Sequence, residues 1–231
     1  SGQYPFLAIL LSGGHTLIVL VISATEYTIM SRSVDDNIGE AYDKVAREIP
    51  FNLRGADIGG SSIERLAKMC SCDKSVFYDS TSKPNTSYFS FSGMKTEVLK
   101  DVSTARSDVD YYFIACKFQR SVLRNLQDKM KGCLQILEEM NVTPAFIALG
   151  GGVSLNEAVK ETINSFAARY GMTAYSPSRE LSTDNASMIA KACKTANMAQ
   201  RSLSGQLNPI ADFPLGFIKD DDNALAGYIS T

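Results

Sequence analysis

An α/β fold is predicted by three features of the sequence. The segments Phe6-Leu-Ala-Ile-Leu-Leu and Leu17-Ile-Val-Leu-Val-Ile are rich in branched residues and flank Ser12-Gly-Gly-His-Thr16, the pattern of a β-hairpin. Apolar positions recur at helical spacing from Asp108 to Met140. Pro144-Ala-Phe-Ile-Ala-Leu then runs into Gly150-Gly-Gly-Val-Ser-Leu-Asn, a helix to about Tyr170 and a short strand around Thr173 to Tyr175. That is a strand, glycine turn, helix, strand unit.

The remaining elements follow in order. Glu26 to Ser33 is expected to add a third strand, after which Ile38, Ala41, Tyr42, Val45, Ala46 and Ile49 recur with helical period. Pro50 to Gly60 reads as a loop, and Ser61 or Ser62 opens a short helix through Met69. Residues 71 to 97 have no clear period and read mostly as loop. The long helix leaves room for a bend near Gly132. A last helix is expected from about Asp184 to Gln200, opened by Ser182-Thr-Asp-Asn. Residues 1–200 form the expected core, and 201–231, with three glycines, two prolines and Asp220-Asp-Asp, an irregular tail.

Composition excludes several classes. With 231 residues, 45% hydrophobic and 21% charged, the chain is long enough and apolar enough to bury a core, so disorder is excluded. Its formal charge of −2 is unlike that of a protein coated with Lys and Arg for indiscriminate nucleic-acid binding. Five cysteines, Cys70, Cys72, Cys116, Cys133 and Cys193, lack a framework spacing and are expected as free thiols in a reducing compartment. No apolar run is long enough to span a bilayer, so no membrane partner is expected, and the first residues carry no recognisable targeting segment.

Four groups of residues are candidates for chemistry. The turn Ser12-Gly13-Gly14-His15-Thr16 lets backbone approach a phosphate, or it merely closes a tight hairpin. Gly150 to Asn156 lies between strand and helix, where N–H groups receive an anion, although such turns occur in many α/β proteins. Asp35, Asp36, Glu40 and Asp43 crowd one helix start. Glu40 and Asp43 fall a turn apart and suit a ribose or metal, or simply an acidic, solvated N-terminus. Asp184 is either a helix cap or a metal ligand.

Taken together and in this order, five segments carry a resemblance. They are Pro5-Phe-Leu-Ala-Ile-Leu-Leu-Ser-Gly-Gly-His-Thr, Asp35-Asp-Asn-Ile-Gly-Glu-Ala-Tyr-Asp-Lys, Phe89-Ser-Phe-Ser-Gly-Met-Lys, Gly151-Gly-Val-Ser-Leu-Asn and Ser182-Thr-Asp-Asn-Ala-Ser-Met-Ile-Ala. The chain resembles the TsaD/Kae/Qri family of tRNA N6-threonylcarbamoyladenosine transferases, once labelled glycoprotein endopeptidases. Asp57-Ile-Gly-Gly-Ser-Ser-Ile-Glu-Arg-Leu-Ala is similar to the mitochondrial branch, which implies a mitochondrial location, with the cytoplasm as alternative. The peptidase label finds no support, because His-Glu-x-x-His is absent and His15 is the single histidine.

The resemblance implies an actin, Hsp70 and sugar-kinase type of fold with RNase H-like sheets, this chain supplying mainly the C-terminal lobe. It implies transfer of threonylcarbamoyl from threonylcarbamoyl-AMP to N6 of adenosine 37 in tRNAs reading ANN codons. Leu11, Ser12, Gly13, Gly14 and His15 are then expected at the adenylate, with Asp43, Gly60 and Asn156 as further contacts and Glu40 near the ribose. Asp184 is expected to bind one divalent metal, zinc or iron. The partners implied are tRNA and a second copy in a homodimer. In the family the metal-binding histidines lie in a lobe ahead of the strand matching Phe6, so the 231-residue chain alone is expected not to transfer threonylcarbamoyl. The competing readings are a non-catalytic nucleotide-binding or assembly partner and, more remotely, an ATP phosphotransferase or chaperone ATPase of the same fold.

Overall fold

The computed structural model describes residues 3–24, 26–55, 59–71, 75–78, 88–182, 188 and 190. Among the described residues six strands form one sheet: β1 (Phe6–Leu11), β2 (Thr16–Val21), β3 (Tyr27–Ser33), β4 (Tyr88–Phe89), β5 (Phe146–Gly150) and β6 (Thr173–Tyr175). Their spatial order is β4-β3-β2-β1-β5-β6. The expected hairpin is present, with Leu11 opposite Thr16 and Phe6 opposite Val21, and β3 continues it antiparallel. β5 joins β1 in parallel and β6 joins β5 in parallel. An antiparallel meander extended by parallel strands is the sheet that an RNase H-like lobe requires. Each parallel step needs a crossover, and helices supply them.

Among the described residues these α-helices accompany the strands: α1 (Ile38–Glu48), α2 (Phe51–Arg54), α3 (Ser61–Lys68), α4 (Ser92–Thr104), α5 (Asp108–Glu139) and α6 (Glu157–Arg169). The side chains of Leu7, Ile9, Leu11, Ile18, Leu20, Ile147 and Leu149 point to one face of the sheet. There they share a single core with Ala41 and Val45 of α1, Phe118 and Val122 of α5, and Ile163 and Phe166 of α6. The helix over 108–139 starts where the sequence places it because Ser107 and Asp110 form a capping box.

Two expectations need correction. Pro50 to Gly60 is not all loop, since α2 makes one helical turn there. Residues 71 to 97 contain β4 and the start of α4. That start has no local capping side chain, so periodicity and capping signals fail together; its cap comes from elsewhere in the chain, as described below. The short helix α3 does start at Ser61, with Gly60 as its N-cap, and the Ser62 hydroxyl donates back to the Gly59 carbonyl at 2.9 Å. The long helix is one continuous element through Gly132, where a side chain would meet open space. The expected last helix over 184–200, apart from positions 188 and 190, and the tail over 201–231 lie outside the described residues. So do Cys72, Cys193 and Asp184, whereas Cys70, Cys116 and Cys133 are free thiols.

Candidate functional site

The turn between β1 and β2 is organised by Ser12. Its amide donates to the His15 carbonyl at 2.8 Å, and its Oγ accepts from the amides of Gly14 at 3.2 Å and His15 at 2.9 Å. Gly13, Gly14 and His15 are exposed at the tip. Neither Gly13 nor Gly14 has a left-handed φ, and a Cβ at either would meet nothing within 4 Å. The hairpin therefore does not itself demand glycine at these two positions. The Leu11 side chain is fully buried in the core, so Leu11 offers only its backbone to this surface.

Helix α1 is seated against the turn. The Gly39 amide donates to the Ser12 carbonyl at 3.1 Å, the Asn37 amide group donates to the Gly14 carbonyl at 2.8 Å, and the Ile38 amide donates to Thr16 Oγ1 at 2.7 Å. The approach is so close that a Cβ on Gly39 would lie 2.6 Å from the Gly13 nitrogen. Sequence inspection passes over Gly39, which reads as an ordinary residue in a helical pattern.

One turn further along α1, Asp43 Oδ1 accepts from the Gly60 amide at 2.9 Å, so two expected site residues are bonded to each other. Gly60 packs on Tyr42, and a Cβ there would sit 2.7 Å from Tyr42 Cβ. From α3 the chain of contacts reaches α6: Glu64 Oε1 accepts from the Glu157 amide at 2.9 Å, and Lys68 pairs with Glu157 at 2.5 Å. Asn156 caps α6, its Oδ1 accepting from the Val159 amide at 3.1 Å. The ring closes at Gly151, whose φ of 86° and position under β1 leave room for no side chain, since a Cβ would fall 2.3 Å from the Leu11 carbonyl oxygen.

Gly13, Asp43, Gly60 and Asn156 are thus linked by one run of contacts along the end of β1, the first two turns of α1 and the first turns of α3 and α6. Helix N-termini carry partial positive charge, and three gathered on one rim suit an anionic ligand. Glu40 lies on α1 but faces Lys44, with which it pairs at 2.8 Å.

The acidic pair before α1 has a different task. Asp35 accepts four hydrogen bonds, from Ser90 Oγ at 2.6 Å, the Phe91 amide at 2.9 Å, Ser92 Oγ at 2.8 Å and the Ser92 amide at 3.3 Å. It is the missing cap of α4. Burial pushes this carboxyl up, but the bonds from Ser90, Phe91 and Ser92 outweigh it and hold the group below its ordinary value. Asp36 takes Lys44 at 2.6 Å and Lys95 at 3.3 Å, which likewise overcome burial and hold it low. The Asp35-Asp36 segment and the Phe89 to Lys95 segment are therefore two halves of one joint.

Among the described residues no three His, Cys, Asp or Glu side chains come together to hold a metal ion. His15 stands alone on its turn, and Asp184 lies outside those residues, so no step below is routed through a metal. No described helix is long and apolar enough to cross a membrane.

The TsaD family, tRNA N6-adenosine threonylcarbamoyltransferase, matches residues 1–191. Curated relatives of that name include one from Sinorhizobium medicae, 33% identical over 192 residues, which cover 81% of this chain and 52% of the relative. One from Mesoplasma florum is 35% identical, covering 81% and 57%, and one from Bartonella bacilliformis is 32% identical, covering 96% and 61%. The chain thus spans between half and two thirds of their length. Among solved structures, full-length HypF in the phosphate- and nucleotide-bound form shares the fold, with a TM-score of 0.63 at 13% identity over 89% of this chain and 34% of that one. HypF from T. kodakarensis gives 0.60 at 11% identity, over 85% and 34%. These likenesses bear out the α/β, actin, Hsp70 and sugar-kinase type of fold, and with the match over residues 1–191 they show that the chain belongs to the TsaD family of tRNA N6-adenosine threonylcarbamoyltransferases.

Proposed function

We propose that this chain forms the adenylate-holding part of an enzyme that transfers threonylcarbamoyl from threonylcarbamoyl-AMP to N6 of adenosine 37 in tRNAs reading ANN codons. The observation that carries the reading is the bare backbone at Gly13 and Gly14, which the hairpin does not require, on the same rim as Asp43, Gly60 and Asn156. In this reading Ser12 fixes the turn so that the amides around Gly13 and Gly14 face the AMP phosphate. The Asn156 side chain keeps its NH2 group for the ligand while Oδ1 caps α6. Asp43 and Glu40 stand on the ribose side.

The chemistry asks little more of these residues. The adenosine amine attacks the carbamoyl carbon, the bond to the phosphate oxygen breaks, AMP leaves with the electron pair, and the proton lost by the amine passes to solvent. Donors preorganised at the phosphate favour that departure, and a fixed ribose orients the attack. No protein nucleophile enters the scheme. Asp184 as ligand of one zinc or iron ion, a homodimer and a mitochondrial location are parts of the same proposal. Metal analysis, light scattering and organelle fractionation test them.

The decisive test is calorimetric titration of the chain with AMP, beside a Gly13→Ala/Gly14→Ala variant. The variant is expected to keep its stability, because the added methyl groups meet open space, and to lose at least about tenfold in AMP affinity, about 1.4 kcal/mol. Absence of AMP binding, or equal binding by both proteins, overturns the reading. Transfer is measured by nucleoside mass spectrometry of unmodified tRNA, using residues 1–191 in place of the matching segment of the Sinorhizobium medicae relative. AMP binding together with no modified adenosine favours the non-catalytic alternative.

A further inference from the structure

Helix α2 is a single turn, too short to hold itself together, and none of its residues is buried. Two contacts fix it. Leu53 packs on the margin of the core, and Arg65 of α3 donates through Nη2 to the Leu53 carbonyl at 3.2 Å and the Arg54 carbonyl at 2.7 Å, closing the turn at its C-terminal end. The side chain this arrangement presents is Phe51, 67% exposed, with the Arg54 guanidinium 5.5 Å from its ring centroid. A ring so exposed adds little to folding. Charge of one sign gathers around it. Arg54, Arg65 and Arg47, the last exposed in the final turn of α1 four residues ahead of Phe51, form no ion pair among the described residues, in a chain whose formal charge is −2. Arg47 lies one turn beyond Asp43 on the same side of α1, and Arg65 lies five residues into α3 from Gly60, so this surface borders the rim at the Asp43–Gly60 bond.

We propose that this surface docks a single-stranded loop of RNA, with Phe51 stacking on an unpaired base and Arg47, Arg54 and Arg65 meeting the phosphates beside it. Aromatic rings set among guanidinium groups are the means by which proteins hold unstacked bases. A base on Phe51 completes a stack in which the ring lies between the base and the Arg54 guanidinium. An anionic bilayer calls instead for a long amphipathic helix with a broad apolar face, and α2 offers one turn and one ring. The inference rests on the tRNA transfer proposed above, which brings an RNA loop to this rim, and it adds where on the chain that loop is held.

The test measures binding of unmodified tRNA to the full chain by fluorescence anisotropy at several salt concentrations, with AMP titrated into a portion of each sample. Phe51→Ala is expected to weaken tRNA binding at least about fivefold and to leave thermal stability and AMP affinity unchanged, because the ring is exposed. Phe51→Tyr keeps the stacking ring and is expected to bind tRNA as the native chain does. Arg47→Ala is expected to weaken binding and to lower the slope of log affinity against log salt by about one. No tRNA binding, or binding that ignores Phe51→Ala, overturns the docking surface, and AMP binding in the same sample then leaves the adenylate reading standing. Phe51-dependent tRNA binding without AMP binding supports the surface and overturns the adenylate reading alone. Phe51-dependent binding to phosphatidylserine vesicles, with tRNA binding indifferent to Phe51, overturns the proposal in favour of a membrane surface.

Discussion

The Gly60 amide donates to Asp43 Oδ1 at 2.9 Å, so the middle of α1 and the N-cap of α3 are locked together at the rim of the candidate site. Both residues were singled out as adenylate contacts, and their bond means that a change in either one moves the other. Substitutions here must therefore be judged on stability and on binding separately.

Asp43→Ala leaves the Gly60 amide without its acceptor and is expected to cost about 1–3 kcal/mol, the range for a donor left without its partner. Asp43→Asn keeps an oxygen at that position and is expected to recover most of the loss. Urea unfolding of the two variants checks this, and equal destabilisation by both would deny the bond its role.

Asn156 allows cap and ligand to be separated. Asn156→Ala is expected to cost about 1 kcal/mol by uncapping α6, whereas Asn156→Ser keeps an oxygen for the Val159 amide and leaves stability nearly unchanged. Both lose the side-chain NH2 group, so both are expected to bind AMP less well. An Asn156→Ser protein with wild-type affinity would confine Asn156 to capping.

Gly39→Ala sets a methyl group 2.6 Å from the Gly13 nitrogen and 2.8 Å from the Ser12 carbonyl carbon. Backbone rather than a flexible side chain must give way, at an expected cost of about 1–3 kcal/mol. Because the displaced backbone is the glycine turn, AMP affinity is expected to fall with stability. Thermal unfolding and titration of the same sample test the pairing. Gly151→Ala, with a contact of 2.3 Å at a left-handed φ, is expected to be more damaging than Gly39→Ala.

Acid should weaken the joint between β3 and α4. Asp35 and Asp36 both sit below their ordinary value of 3.8 in the fold, each pushed up by burial but pulled further down by its hydrogen bonds or ion pairs. A carboxyl whose folded value is depressed adds stability above its unfolded value, and that stability is lost as pH falls through the folded value. The urea midpoint is therefore expected to drop as pH falls below about 4, and Asp35→Asn/Asp36→Asn to flatten that drop. An unchanged slope in the double variant would place the acid sensitivity elsewhere.

Much of the fold was legible because its signals are local. Branched residues around a glycine turn make the hairpin, apolar spacing from Asp108 to Met140 marks α5, and the glycine turn after a strand marks α6. The start of α4 was not legible, since its cap is Asp35, more than fifty residues earlier in the chain. Gly39 and Gly151 show the same limit: one looks like any helical residue and the other like any glycine in a turn, until the neighbouring backbone arrives.

The strands and helices outside residues 50–60 and 71–97, the glycine turns and the family could be read from the chain alone, because periodicity and turn chemistry act over a few residues. Only the tertiary structure decided that the ends of β1, α1, α3 and α6 share one rim, that Gly13 and Gly14 are free of any demand from the hairpin, and that Asp35 serves α4. Those are distances between residues far apart in sequence, set by packing on a common sheet, and no local pattern encodes them.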